Sequence, residues 1–155
     1  MSSSQCPCGQ GQYIDCCQPL HHGQIRAQSA EQLMRSRYSA FAKQQIDYIV
    51  QTTALGQQKA LDVAAILNWS QVNQWLKLEI ISHQEKIAKR HAQVEFKAHY
   101  QDGLKNQIHH EVSHFVQHQG VWYFLDPTTE IKISLKQACL CGSGKKFKQC
   151  CAAYL

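Results

Sequence analysis

Cysteine is confined to the two ends of the chain, and its thiolate is a good ligand for a soft metal ion. The sequence has 155 residues and eight cysteines. Four lie near each end, and none lies between Cys17 and Cys139. The two sets are Cys6, Cys8, Cys16 and Cys17, and Cys139, Cys141, Cys150 and Cys151. Because four thiolates complete the ligand set of a structural zinc ion, the sequence predicts one Zn²⁺ in each set.

The two sets are copies of one short motif. Both CPCGQGQYIDCC and CLCGSGKKFKQCC contain Cys-x-Cys-Gly-x-Gly, then an aromatic residue (Tyr13 or Phe147), then an adjacent cysteine pair. The glycines permit the tight turn that returns the pair to Cys-x-Cys. The first copy is one residue shorter within this turn, and His21 or His22 could replace one of its thiolates.

The net positive charge of the chain lies in its C-terminal segment. The formal charge is +5, and residues 131–155 carry five lysines and no acidic residue. Three of these side chains, Lys145, Lys146 and Lys148, lie within the second cysteine motif, whereas the first motif has no lysine. Such a local basic patch argues against a general or sequence-specific DNA-binding protein. It predicts that the first motif mainly braces the body and that the second contacts an acidic partner.

The remaining composition is typical of a globular cytoplasmic protein. No apolar run has the length of a membrane span, and the N-terminus lacks the basic and apolar regions of a secretory signal. We therefore expect a cytoplasmic location without membrane insertion. Thiols stay reduced there, which favours metal ligation over disulfides.

The cysteine-free middle, residues 26–135, begins with a helical pattern. Ser29 is predicted to cap a helix that runs to about Lys43 or beyond, with Ile46 continuing its apolar face. A second helix is predicted near residues 58–68, with four residues turned inward: Leu61, Ala64, Ala65 and Ile66.

The second half of the middle segment has the period of β-strands. Leu76, Leu78 and Ile80 are predicted to share one face of a strand. Further strands are predicted at Ala92–Tyr100, Ile108–Val116 and Val121–Leu125, separated by glycine turns. Helices followed by an antiparallel meander predict an α+β domain, flanked by zinc knuckles at residues 1–25 and 136–155.

A few side chains of the middle segment could transfer protons in a pocket. The candidates are His110, His114, Asp126 and Tyr100, accompanied by Tyr38, Trp69, Trp75 and Trp122. Both histidines are placed on the strand face of Val112. The alternative is an aromatic core with histidines at the margin of the sheet. In the first helix, Arg35 or Arg37 could form a buried ion pair with Asp47 or Glu111.

The C-terminal residues CLCGSGKKFKQCC match the SEC-C motif, named for the zinc-binding tail of the bacterial preprotein translocase ATPase. With QLMRSRYSAF at 32–41 and GVWYFLDP at 120–127, nearly the whole chain resembles the bacterial YchJ family of uncharacterised proteins. The resemblance implies that the middle domain is similar to nuclear transport factor 2. In that fold a curved antiparallel sheet wrapped by helices forms a cone.

The resemblance also carries expectations about function. The motif's zinc ligands correspond to Cys139, Cys141, Cys150 and Cys151. The translocase tail docks on a secretion chaperone and on the ribosome, so these are the partners implied for an adaptor that uses Lys145, Lys146 and Lys148. The alternative is a small-molecule-binding or isomerase/dehydratase-type cone whose knuckles are purely structural. Whether the protein dimerises through its sheet is left open.

Overall fold

The computed structural model of the protein describes residues 4–129 and 133–155. Its main elements are α1 (Gln18–His21), α2 (Ala30–Ala42), α3 (Ile46–Gln51), α4 (Val63–Val72), β1 (Asn73–Ala88), β2 (His91–Asp102), β3 (Lys105–His118) and β4 (Val121–Leu125). The strands form one sheet in the order β1-β2-β3-β4, and each is antiparallel to the next. The predicted order of helices followed by an antiparallel meander is confirmed. Over the described ranges, no helix has the length and apolar character to span a membrane.

Helix α2 forms the packed layer over the sheet. The Ser29 hydroxyl accepts a hydrogen bond from the Gln32 amide at 3.1 Å, so the predicted cap is confirmed. Leu33 is buried on the face toward the sheet. The predicted continuation of the helix through Ile46 is wrong. The chain leaves the helix after Ala42, because Gln44 adopts a left-handed φ of 56° before α3 begins.

The second predicted helix is split into two elements. A 3₁₀ segment spans Leu55–Ala60, and α4 follows with Asp62 as its cap. Ala64 and Ala65 are exposed rather than buried, and Ile66 is half-buried. The inward orientation is wrong for Ala64, whereas Ala65 faces the cavity and stays exposed, because α4 borders an open cavity instead of a closed core.

Strand β2 supplies the centre of the core. Its alternate residues Ala92, Val94, Phe96 and Ala98 are all buried, as their period predicted. Strand β1 departs from the prediction at Leu76, which is 45% exposed. The pairing of β1 with β2 shifts register between Trp75 and Lys77, so Leu76 lies at the irregularity and points outward.

Strand β3 faces the opposite way from the prediction. Directly opposite residues of paired strands share a face. The register pairs Phe96 with Glu111 and Ala98 with His109, so these side chains point toward the helices. The face of His110 and Val112 is therefore the outer one, and Val112 is exposed. The sequence left open which face of β3 is buried, because apolar residues occur on both faces of this strand.

Both cysteine segments pack against the middle domain. In the C-terminal segment, the Leu140 carbonyl accepts a hydrogen bond from the Gly56 amide at 2.7 Å. The cysteines there belong to one buried cluster with Ala54, Val116 and Leu125. In the N-terminal segment, the Cys8 carbonyl accepts a hydrogen bond from Arg35 at 3.4 Å. Both motifs therefore pack against the middle domain, whereas the sequence predicted this mainly for the first motif.

The contact between Gly56 and Leu140 generates a testable prediction. A Cβ at position 56 would lie 2.8 Å from the Leu140 carbonyl oxygen and 2.9 Å from its Cα. Gly56→Ala should therefore displace the C-terminal segment and lower the free energy of unfolding by about 1–3 kcal/mol, measured by urea denaturation. Lys59→Ala, at an exposed position of the same 3₁₀ segment, is the control and should change stability little. Equal stability of both variants would show that the segment is not tightly docked.

Candidate metal centres and cavity

The four C-terminal cysteines form a compact buried group of sulfur atoms. All four Sγ atoms lie within 4.8 Å of one another. The Sγ atoms of Cys141 and Cys150 are 3.5 Å apart, and those of Cys150 and Cys151 are 3.8 Å apart. Four sulfurs at about 2.3 Å from a tetrahedral ion would be separated by about 3.8 Å, whereas a disulfide needs about 2.05 Å. The spacing therefore fits four ligands of one metal ion.

The N-terminal cysteines form an equivalent group despite their shorter turn. Their four Sγ atoms also lie within 4.8 Å of one another. The turns are closed by matching hydrogen bonds of 2.7 Å, from the Cys6 amide to the Gly11 carbonyl and from the Cys139 amide to the Lys145 carbonyl. Gly11 has a φ of +120°, which an L side chain rarely adopts, so this glycine makes the shorter turn possible.

His21 and His22 lie outside the N-terminal sulfur group. Nε2 of His21 donates to the Ser36 carbonyl at 2.8 Å, and its Nδ1 accepts from the Tyr13 hydroxyl at 2.7 Å. Both ring nitrogens of His21 are thus engaged, while His22 is exposed. Among the described residues, the groups able to hold a metal ion are these two cysteine sets, and no histidine belongs to either.

The thiols of each group cannot all ionise without a cation. Hydrogen bonds from the Cys17 and Cys8 thiols lower the pKa of Cys6. At the other end, hydrogen bonds from Cys139 and Cys151 lower the pKa of Cys141. Once that thiolate has formed, it raises the pKa of its neighbours, and the pKa of Cys139 rises to about 11. A bound cation would offset this repulsion and favour all four thiolates.

Two side chains that the sequence analysis did not identify contact the C-terminal sulfur group, Arg90 in the β1–β2 turn and His91 at the start of β2. Arg90 donates from Nη2 to Sγ of Cys150 at 3.0 Å. His91 Nε2 lies 3.3 Å from Sγ of Cys151. Burial and the neighbouring Arg90 lower the pKa of His91. The only sequence signal was a basic turn, and nothing in the sequence shows that the chain end reaches it.

The turn and the C-terminal motif together line a basic cleft. The cleft has a volume of about 290 Å³, and its lining includes Lys145 and Lys148 together with Lys89 and Arg90. Lys146 is exposed but does not line this cleft. The structure therefore brings two of the three predicted lysines together with two basic residues that are distant in sequence.

A larger cavity lies between the helices and the inner face of the sheet. Its volume is about 720 Å³. The candidate Asp126 lines it, as do the expected aromatic residues Tyr38, Trp69 and Trp75. Trp122 is not among the residues that line it.

The other pocket candidates lie elsewhere. On the outer face, His110 donates to Glu95 at 2.7 Å, and the ring of His114 lies 5.5 Å from that of Tyr154. Tyr100 packs on Trp69 with ring centroids 5.2 Å apart. The predicted place of His110 and His114 in the cavity followed from the wrong phase for β3, and the register corrects it. Tyr100, on β2, pairs with Trp75 but is not among the residues that line the cavity.

A polar row on β3 takes the place of those candidates. His109, Glu111 and Ser113 all line the cavity. Nε2 of His109 donates to Glu111 at 3.1 Å, and the Ser113 hydroxyl donates to the other oxygen of the same carboxylate. The hydrogen bond to Glu111 raises the pKa of His109, and the same bond lowers the pKa of Glu111. The alternation of β3 could have identified this row once its phase was known.

Arg37 is buried beside the same cavity. Its Nη1 donates to the Ile49 carbonyl at 2.8 Å and to the Thr52 hydroxyl at 2.7 Å. The guanidinium carbon lies 4.4 Å from the centre of the Phe124 ring. Burial lowers the pKa of Arg37 to about 10. Arg35 instead pairs with Glu31 at 2.9 Å, so neither arginine forms the predicted ion pair with Asp47 or Glu111 in the described ranges.

Comparison with known proteins defines the class of this molecule. The model of the YchJ middle domain, a domain similar to nuclear transport factor 2, matches residues 29–127. The SEC-C motif model matches residues 136–153. The protein is therefore an α+β cone domain joined to a SEC-C motif, which confirms the fold and the resemblance. The chain belongs to the YchJ family.

Relatives of similar length support this assignment. A UPF0225 protein of Actinobacillus succinogenes is 48% identical over 151 residues, which are 97% of each chain. A UPF0225 protein of Haemophilus influenzae is 46% identical over 154 residues, covering 99% of this chain and 95% of the relative.

Two solved structures are also similar. The crystal structure of a SEC-C motif containing protein from Psychrobacter arcticus has a TM-score of 0.91 at 46% identity and covers 100% of both chains. The solution structure of a SEC-C motif containing protein from Rhodopseudomonas palustris has a TM-score of 0.73 at 39% identity. It covers 79% of this chain and 95% of its own.

The pair of His109 and Glu111 predicts a pH-dependent stability. The raised pKa of His109 stabilises the fold below the ordinary value of 6.5, and this contribution is lost as the pH rises through the folded pKa. The lowered pKa of Glu111 stabilises above the ordinary value of 4.5 and is lost as the pH falls through the folded pKa. His109→Gln should therefore lower the melting temperature more at about pH 5.5 than at about pH 8.5.

The control is the same substitution in a Glu111→Gln background, where the carboxylate partner is absent. In that background the effect of His109→Gln should be equal at both pH values. A difference that persists without Glu111 would contradict the pairing.

Proposed function

We propose that the protein is a zinc-stabilised cytoplasmic adaptor that docks on the acidic surface of a protein or ribonucleoprotein. The observation that supports this function is the basic cleft, where Lys145 and Lys148 lie beside Lys89 and Arg90. The secretion chaperone and the ribosome are the candidate partners, because the SEC-C motif is named for a tail that docks on them.

The electrostatics of the cleft favour an external partner. If one Zn²⁺ were held by four thiolates, the site would carry a charge of about −2. Arg90 contacts Cys150 and can offset part of this charge, whereas Lys145 and Lys148 have no carboxylate partner among the described ion pairs. Exposed lysines of this kind accelerate association with an acidic surface and lose their effect at high salt.

Zinc is the ion that best fits the two sulfur groups. Each offers four cysteine sulfurs at tetrahedral spacing, the ligand set of structural zinc sites. The C-terminal ion would fix Cys150 and Cys151 against the body, and so hold Lys148 at a constant position beside the β1–β2 turn. The N-terminal ion would fix the segment that contacts α2.

Metal analysis tests the zinc assignment. The purified protein should contain about two zinc ions per chain, one for each group. Cys139→Ser/Cys151→Ser and Cys6→Ser/Cys17→Ser should each lower this to about one, because a hydroxyl is a poor substitute for a thiolate. Ser143→Ala, beside the C-terminal group, is the control and should retain both ions. Absence of zinc from the wild type, or loss of both ions in either variant, would contradict two independent sites.

Charge reversal tests the docking surface. Lys145→Glu/Lys148→Glu should lower co-sedimentation with bacterial ribosomes, or binding to the purified secretion chaperone, by at least about tenfold at low salt. The matched control is Lys105→Glu/Lys136→Glu, which makes the same charge change at exposed positions outside the cleft. Binding of the wild type should also fall between about 0.05 and 0.5 M salt. Equal losses in the two double variants, or no effect of salt, would argue against the cleft.

A second candidate function is small-molecule binding by the cone. It is favoured by the cavity of about 720 Å³, whose size and largely aromatic and aliphatic lining are typical of ligand sites. In this function the knuckles are purely structural. Binding of the neutral fluorescent probe N-phenyl-1-naphthylamine tests it, and the variant that fills the cavity mouth, Ala65→Trp, should abolish that binding.

A further inference from the structure

Two side chains at the cavity have hydrogen-bond donors without an acceptor in the described residues. Arg37 is 6% exposed, and its Nη1 is fully engaged with backbone and threonine oxygens. Its Nε and Nη2 have no acceptor within residues 4–129 and 133–155. Tyr38 is 3% exposed, and its hydroxyl likewise has no partner in those ranges. Both side chains line the cavity. Among the described residues, Oδ1 of Asn73 is the one buried side-chain polar atom without a partner, so the free donors of Arg37 and Tyr38 are reached by solvent in the cavity. An acceptor brought by a ligand would replace that water as their hydrogen-bond partner.

The three carboxylates that line the cavity, Asp62, Glu111 and Asp126, are already engaged with other groups. Asp62 caps α4 by accepting from the Ala65 amide at 3.0 Å. Glu111 accepts from His109 at 3.1 Å and from Ser113. Asp126 accepts from the amide and the hydroxyl of Thr128 at 2.8 and 2.6 Å. In the described chain none of the three carboxylates forms an ion pair with Arg37. The charges of Asp126 and Glu111 act on the guanidinium without contacting it, so its Nε and Nη2 stay open to an acceptor from a ligand.

The remaining wall of the cavity suits a ring. Besides Tyr38, the phenylalanine and tryptophan side chains that line it are Phe41, Trp69, Trp75, Phe96 and Phe124. The rings of Trp69 and Trp75 meet edge to face at 5.9 Å, and Trp69 is 41% exposed. An aromatic or cyclic aliphatic group placed against these side chains would bury apolar surface on both molecules.

We infer that the cavity binds a ring-containing molecule with one anionic acceptor group, such as an aromatic carboxylate, and that Arg37 and Tyr38 hold that group. The inference rests on the second proposed function, small-molecule binding. Arg37 supplies the charge, the Tyr38 hydroxyl donates a further hydrogen bond, and the aromatic wall holds the ring. No carboxylate needs to move, because Asp62, Glu111 and Asp126 keep their present partners.

Two fluorescent probes that differ in one anionic group test this inference. The anion is 8-anilino-1-naphthalenesulfonate, and N-phenyl-1-naphthylamine is the same molecule without its sulfonate. The wild type should bind the anion at least about tenfold more tightly than the neutral probe, the difference expected from one charged hydrogen-bonded contact. Tyr38→Phe keeps the packing, and it should reduce this preference without weakening the neutral probe.

Arg37→Met should abolish the preference, and circular dichroism and the melting temperature would show whether the variant folds. If it does not fold, Tyr38→Phe still tests the inference.

Matched variants locate the bound probe. Ala65 and Ala64 are both exposed on α4, but only Ala65 lines the cavity. Ala65→Trp should abolish binding of both probes, and Ala64→Trp should not. The preference for the anion should persist in Lys145→Glu/Lys148→Glu, which excludes the basic cleft as the site.

Three outcomes would overturn the inference. Equal affinities for the two probes would refute the anionic group while leaving small-molecule binding intact. Failure of both probes to bind would refute small-molecule binding as well. Equal losses in Ala64→Trp and Ala65→Trp would show that the probes bind outside the cavity.

Discussion

Each end of this chain brings four sulfur atoms to within 4.8 Å of one another, and such thiolates repel one another unless a cation lies among them. At the C-terminal end, the sulfurs are part of the same buried cluster as Ala54, Val116 and Leu125. Order in the last residues of the chain is therefore linked to the packing of the sheet and of the 3₁₀ segment after α3. A change that disturbs the C-terminal thiols should be transmitted to the body, because the cysteines and residues of the body belong to one buried cluster.

The C-terminal thiols also contact the basic β1–β2 turn. Arg90 donates to Cys150, and its Nη1 also donates to the Gln117 carbonyl at 2.8 Å. It therefore joins the turn, the end of β3 and the sulfur group. Once Arg90 is placed in this way, Lys89 and the lysines of the C-terminal motif border one cleft. Arg90, which offsets part of the thiolate charge, thus also places the turn where Lys89 lies beside the lysines of the C-terminal motif.

The cleft and the cavity have no lining residue in common. The cavity depends on the inner face of the sheet and on α2 and α4, whereas the cleft depends on the C-terminal motif and the β1–β2 turn. Docking and ligand binding can therefore be changed separately by substitution. The polar row of His109, Glu111 and Ser113 is held by strand pairing rather than by the cysteine segments, so its geometry should depend little on the metal centres.

The sequence by itself determined the features that depend on local spacing. The repeated cysteine motif predicted the two groups of four thiols, Ser29 predicted the start of α2, and the alternation of β2 predicted its buried face. Ligand spacing, helix capping and strand period act over a few residues, so they can be read without knowing the fold. The order of helices and strands was predictable for the same reason.

Only the tertiary structure decided which face of β3 is buried and which residues meet across the fold. The apolar residues Ile108 and Val112 indicated one buried face of β3, and Phe115 indicated the other. The pairing of β3 with β2 decides between them, because it turns His109 and Glu111 inward. The contacts of Arg90 and His91 with the C-terminal thiols join residues about sixty positions apart in the chain. Such contacts depend on strand register and on the docking of a distant segment, and no local pattern of residues records either.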